Sequence, residues 1–279
     1  MRRAPATAKI NLALIVGPKR ADGKHEVATV LQRVDLADRI SLESARELRV
    51  RGFGRDTLVA RALEALAKEA DVEPRWSVRI DKKIPVAAGL GGGSSDAATA
   101  LRLANETLDS PLAPAALHAL ARELGADVPF FLTQGPQLGE GDGSELTPLD
   151  LPQDYYVVVV VPRHADKEST GGVYAQLDDL GQVERFSPRR DQLRRAVARV
   201  QRPRELGALP PNDLATGPMG ANSSPVADEL QRLGAFRADM SGAGPAVYSL
   251  FMRRDEADRA KAALGRRHRA WLTVPAWYG

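Results

Sequence analysis

The sequence predicts a mixed α+β protein in two lobes, on three observations. Stretches of helical period and stretches of strict alternation interleave along the 279 residues without the regular βαβ repeat of a parallel sheet. A segment bearing proline and aspartate at 147–153 interrupts that pattern near mid-chain. Hydrophobic residues make up 43% and charged residues 27%, an ordinary globular balance that argues against disorder. The expected units are residues 1–150 and 151–279.

The elements follow in order. Residues 8–14 alternate and predict an early strand; after a turn at Asp22 and Gly23, residues 27–36 and 39–51 read as further β structure. Leu58, Ala62 and Leu66 recur at helical spacing, predicting a helix over 57–69, and 76–81 alternates again. Beyond a glycine-rich stretch, Ala97, Leu101, Ala104 and Leu108 mark one face of a helix beginning near Ser94. Leu117, Leu120 and Leu124 mark another, which Gly125 stops. The β-branched run at 155–161 predicts a strand covered on both faces. A helix near 191–200 follows. Another is expected to be capped by Asn222 or Ser224, with Pro225 in its first turn, and to run to Leu233. Two strands flanking 241–245, a helix over 255–264 and a strand near 271–274 complete the series.

Composition excludes several functions. Without cysteine there are no disulfides, thiolate metal sites or thiol nucleophiles. His25, His118, His164 and His268 show no metal-ligand spacing. No apolar run approaches the ~18 residues of a membrane span, and the charged start at 1–5 lacks the apolar segment of a signal peptide. The expectation is a cytoplasmic protein that binds no membrane. The sequence pI is about 9.2, yet the net charge is only +3, and the arginines are scattered among acids as on a solvated surface.

The strongest chemical signal is the run Pro85, Val86, Ala87, Ala88, Gly89, Leu90, Gly91, Gly92, Gly93, Ser94 and Ser95. Small residues opening a helix let backbone amides approach a ligand, and the positive end of the helix dipole favours phosphate. A flexible loop with a serine cap is the bland alternative. Ser94 stands where a Walker loop needs lysine and where a dinucleotide loop needs its third glycine. Protein-kinase and hydrolase-elbow motifs are absent as well. A second glycine-rich turn, Ser241-Gly242-Ala243-Gly244-Pro245, reads equally as a plain hairpin or as a close backbone approach to the first loop or a ligand. Phosphoryl transfer to a hydroxyl also needs a proton acceptor and a cation. Asp127, among apolar neighbours after a helix, and Lys9, interrupting an apolar strand, are the candidates. Each reads alone as a turn residue or a snorkelling lysine.

Together, Ala8-Lys9-Ile10-Asn11-Leu12, the run from Pro85 to Ser95 and the turn at 241–245 resemble, in order, the three conserved stretches of the GHMP small-molecule kinases. Asp22-Gly23-Lys24-His25-Glu26 and Gly125-Ala126-Asp127-Val128-Pro129-Phe130-Phe131 point within that family to kinases of the non-mevalonate isoprenoid pathway. The resemblance implies a two-lobed fold, with a ribosomal protein S5 domain 2-like N-terminal lobe and a ferredoxin-like C-terminal lobe. It also implies ATP and Mg2+ as cofactors, a small cytidine diphospho alcohol as substrate, no nucleic-acid partner, and a monomer or weak homodimer. Carried over by position, Asp127 becomes the catalytic base and Lys9 its cationic partner. Residues Pro85 to Ser95 enclose the ATP phosphates, with Ser94 or Ser95 near the metal. Asn11, His25, Thr170, Tyr174 and Gly242 meet the substrate. Lys24 departs from the aromatic residue usual before the histidine, and Thr7 from the usual proline. A homoserine or mevalonate type of kinase and a nucleotide or RNA binder remain as alternatives.

Overall fold

Two long strands dominate the first half of the chain. In the computed structural model, which describes residues 1–53, 57–163, 170–179, 185–216 and 218–276, β1 (Arg2–Lys19) and β2 (His25–Ser44) pair antiparallel along nearly their whole length. Register shifts after Thr7, Asn11 and Val16 mark β-bulges, which bend a strand and re-aim its side chains. The second edge of β2 is shared. Its far half pairs with β4 (Trp76–Asp81), which carries the short β3 (Arg49–Arg51) in parallel, and its near half pairs with β5 (Gln137–Glu140), followed by β6 (Glu145–Pro148). One six-stranded sheet results.

Three helices cover it. From α1 (Thr57–Glu69), α2 (Gly92–Asn105) and α3 (Pro114–Leu124), residues such as Leu63, Leu101 and Leu117 pack on Ile40, Leu42, Val78 and Ile80. Full burial of one such side chain contributes about 1.5–3 kcal/mol. α1 and β4 have the predicted bounds. α2 begins at Gly92, two residues before the expected Ser94, and ends before Leu108, which lies in the turn that follows. The β structure expected over 27–36 and 39–51 is instead one strand to Ser44 and a separate β3.

The second sheet has the order β10-β7-β9-β8, all antiparallel, from β7 (Tyr156–Val161), β8 (Arg237–Met240), β9 (Val247–Phe251) and β10 (Arg269–Thr273). The valine run does what strand period requires. Val157 and Val159 face Ile10, Leu12 and Ile15 of β1, whereas Val158 and Val160 face Leu230 of α6 (Pro218–Arg232) and Ala260 of α7 (Arg254–Gly265). Tyr248 joins the two sheets by a hydrogen bond to the Leu12 carbonyl, 3.2 Å, while accepting 2.7 Å from buried Arg237. The remaining α-helices among the described residues are α4 (Thr170–Asp179) and α5 (Phe186–Val197), the latter starting earlier than 191. The cap predicted at Asn222 or Ser224 is corrected: α6 opens on Pro218, whose fixed φ suits a first turn, and Pro225 lies within the helix.

Candidate active site

Lys9 and Asn11 stand two residues apart on β1 and therefore share a face. The Lys9 ammonium donates to Asn11 Oδ1 at 2.6 Å, Asn11 Nδ2 donates to Thr29 Oγ1 at 2.8 Å, and the Thr29 hydroxyl donates to the Ala13 carbonyl at 2.7 Å. This directed chain fixes which way the Asn11 amide points. Lys9 is buried, yet its ammonium lies 3.7 Å from Asp127 Oδ2, beyond hydrogen-bond distance. Asp127 follows α3 and is 41% exposed, so its carboxylate is open to a ligand. Nearby, burial and then the charge of Asp127 push the Tyr174 phenol above its ordinary range.

Both residues line a cleft of about 700 Å3, in the range of small-molecule sites. Its floor is the glycine run. Residues Pro85 through Ser94 all line it, as do Asn11, Tyr174 and Gly242. Gly91 caps α2 in a left-handed conformation without a side-chain capping bond, which leaves first-turn amides for a ligand. Ser95 is turned elsewhere. Its amide bonds to the Gly91 carbonyl at 2.9 Å, and its side chain is buried beside a different, smaller cavity. Of the two serines, Ser94 is the one that lines the cleft. Among the described residues no trio of acids or histidines forms a dedicated metal cage. An Mg2+ carried largely by phosphates and water needs only one or two such protein oxygens, and Ser94 and Asp127 supply that donor class.

The glycine run is held from both sheets. Lys9 N–H donates to the Leu90 carbonyl, Ala246 N–H to Ala88 and Ser241 Oγ to Gly89, each at 3.0 Å. A Cβ on Gly89, at φ +81°, would lie 2.1 Å from the Ser241 carbonyl oxygen, so only glycine fits this seam. The turn at 241–245 is therefore the close backbone approach that the sequence left undecided. It is positioned by Asn212, whose Nδ2 donates to the Met240 and Gly242 carbonyls at 3.0 and 2.7 Å.

A side cavity of about 380 Å3 adjoins the cleft and shares Tyr174, Ala126 and Asp142 with it. His25 and Tyr174 meet there with ring centroids 5.1 Å apart, and His25 Nδ1 lies 3.2 Å from the Gly17 carbonyl. Donation from Nδ1 to that carbonyl gives Nε2 acceptor character. Lys24, at the rim, pairs with Asp142 at 2.5 Å. The Asp142 carboxyl is held below its ordinary value because hydrogen bonds from Lys24 and Ser144 outweigh its burial. Thr170 opens α4, but its side chain lies outside the described residues.

Lys82 and Asp142 line the cleft although sequence reasoning missed both. Lys82 reaches Asp38 Oδ2 at 2.5 Å and Asp96 Oδ2 at 2.7 Å, and both carboxylates are fully buried. Asp38 also accepts the amides of Lys83 and Ile84. Burial alone would lower the Lys82 ammonium, but the two carboxylates outweigh it and hold it above its ordinary value. A lysine just after an alternating strand and shortly before the glycine run was the only signal.

The profile of the GHMP kinases N terminal domain matches residues 57–135, and that of the GHMP kinases C terminal domain matches 190–270. The chain belongs to the GHMP kinase family. A relative from an Anaeromyxobacter species, named 4-diphosphocytidyl-2-C-methyl-D-erythritol kinase, is 40% identical over 91% of this chain and 84% of its own length. One of the same name from Geobacter sulfurreducens is 39% identical over 96% of both chains. A crystal structure of 4-(cytidine 5'-diphospho)-2C-methyl-D-erythritol kinase superposes with a TM-score of 0.81, at 34% identity and 99% coverage of each chain.

Proposed function

We propose that this protein transfers the terminal phosphoryl group of ATP to the 2-hydroxyl of 4-diphosphocytidyl-2-C-methyl-D-erythritol, giving the 2-phosphate and ADP in isoprenoid precursor biosynthesis. The observation that carries this reading is the Lys9–Asp127 pair, 3.7 Å apart, in one cleft with the uncapped start of α2. The names of the relatives support the choice of substrate.

Asp127 accepts the hydroxyl proton as the new O–P bond forms, and the bond between the β and γ phosphates breaks to release ADP. Lys9, immobilised by Asn11, orients the hydroxyl and offsets negative charge developing beside it. Residues Pro85 to Ser94 enclose the nucleotide phosphates, with backbone amides at the start of α2 as donors. Mg2+, when bound, would supply charge neutralisation at those phosphates, and Ser94, which lines the cleft, would help to hold it. His25 Nε2 complements the exocyclic amino group of a cytosine, Tyr174 offers its ring as one wall, and Lys24 supplies a cation for the diphosphate. Asn11 and Gly242 border the reacting alcohol, and Thr170 is the remaining candidate contact. The two lobes meet near residue 150, one sheet on each side. A cytoplasmic monomer or weak homodimer with no nucleic-acid partner completes the reading.

The test is ADP release by the purified protein with the diphosphocytidyl alcohol, mevalonate and homoserine in parallel. The expected result is turnover of the first alone. Turnover of mevalonate or homoserine in its place overturns the substrate assignment.

A further inference from the structure

Ser95, Thr99 and Arg102 fall on one face of α2 by helical spacing, and they border a cavity of about 100 Å3 separate from the cleft. Arg33 of β2 and Thr7 of β1 close it from the sheet. The cavity thus presents two guanidinium groups and three hydroxyls. Among the described residues that line it there is no carboxylate.

Arg33 is the unusual member, at 3% exposure. Its Nη2 donates to the Phe130 and Thr133 carbonyls at 2.9 and 2.6 Å, and its guanidinium lies 5.4 and 5.6 Å from the centroids of the Phe130 and Phe131 rings. Its Nε is buried without a hydrogen-bond partner, and no acid among the described residues forms a salt bridge with it. Carbonyl dipoles and ring faces offset part of a full charge, not all of it. Burial, and then the like charge of Arg102, push the Arg33 guanidinium down to about 10. Arg102 has one acid of its own, Glu106, at 3.1 Å in an exposed pair. Two cations therefore line one small cavity alongside Pro5 and Phe131, and no acid among the described residues pairs with the buried one.

We propose that this cavity is a binding site for a tetrahedral oxyanion of the size of inorganic phosphate, held between Arg33 and Arg102 with hydroxyl donors from Thr7, Ser95 and Thr99. Guanidinium groups match the oxygens of such an anion in pairs, and each hydroxyl can add one donor. The volume admits a few waters or one such ion and falls well short of a nucleotide site. Because Ser95 directly follows Ser94, the site lies behind the glycine run without sharing its lining. The inference does not depend on the kinase reading.

Thermal unfolding with increasing sodium phosphate tests it, against sodium chloride at equal ionic strength and with the cleft saturated by a non-hydrolysable ATP analogue. Wild-type protein is expected to gain about 2–4 °C in Tm once phosphate exceeds its Kd several-fold, with no gain from chloride. Arg102→Gln, on a partly exposed helix face, keeps the fold and should lose most of that gain. Arg33→Gln should lose it too, but alters a buried position, so the Arg102 variant decides if that one fails to fold. An equal gain in Arg102→Gln overturns the proposal, and so does no gain in wild type up to about 50 mM. A gain that disappears under the ATP analogue assigns the phosphate to the glycine run and overturns it as well.

Discussion

Lys9 and Lys82 border the same cleft, and their surroundings differ in a way that separates chemistry from support. Lys82 is saturated: two fully buried carboxylates hold it at 2.5 and 2.7 Å, and one of them also fastens the amides that lead into the glycine run. Lys9 is under-matched. Its hydrogen bond goes to a neutral amide, and its acid stands off at 3.7 Å, open to solvent. A lysine that must act on a ligand is kept close to an acid but not consumed by it. A lysine that must hold a loop is consumed completely.

The sharpest way to break that contrast is Asp127→Asn, which should cut kcat by roughly 10^2–10^4 while the Kd of an ATP analogue changes less than about threefold. Near-normal ADP release would remove Asp127 from the chemistry. Lys82→Met should act on the fold instead. Two buried carboxylates left without their cation cost about 3 kcal/mol, read as a lower urea midpoint at unchanged m-value. A midpoint equal to wild type would show that Asp38 and Asp96 do not rely on Lys82.

The pH dependence of that second effect follows from its sign. The folded Lys82 ammonium sits above its unfolded value, so its contribution is complete below the unfolded pKa, about 10.4, and fades as pH rises through the folded value. The stability gap between wild type and Lys82→Met should be flat from pH 7 to 9 and narrow above about 10.5. A gap that narrows already below pH 8 would contradict the pairing. The smallest effect is expected at the rim. Lys24→Ala should raise KM for the cytidine diphospho substrate about three- to tenfold, and added salt should raise KM more in wild type than in the variant. An unchanged KM would leave Lys24 with Asp142 as its sole role.

Local periodicity made α1 and β4 legible to the residue, because one face of each packs on one core. The long strands were under-read. β1 is buried almost throughout, and its polar Lys9 and Asn11 belong to the site, so simple alternation marked only its middle. α6 was misplaced because Pro225 looked like a helix start, when Pro218 performs that role. The glycine run stood out by its residue types, whereas Lys9, Asp127 and Gly242 became candidates only through the order of the three family-like stretches, because each alone reads as an ordinary strand-end or turn residue. The Lys82 triad could not: Asp38 is 44 residues away, and its pairing exists only after β2 and β4 align. The Lys24–Asp142 pair, 118 residues apart, was hidden for the same reason.

The seam between Gly89 and Ser241 carries a lesson for recombination among relatives. The two turns touch backbone to backbone, and the short Ser241 side chain that bonds across to the Gly89 carbonyl has little reach to absorb a mismatch. A chimera that crosses over near residue 150 would take its two turns from different parents. Such a hybrid should work only when both parents set the turns at matching height, so crossover libraries built on this scaffold should inherit 88–91 and 241–246 as one block.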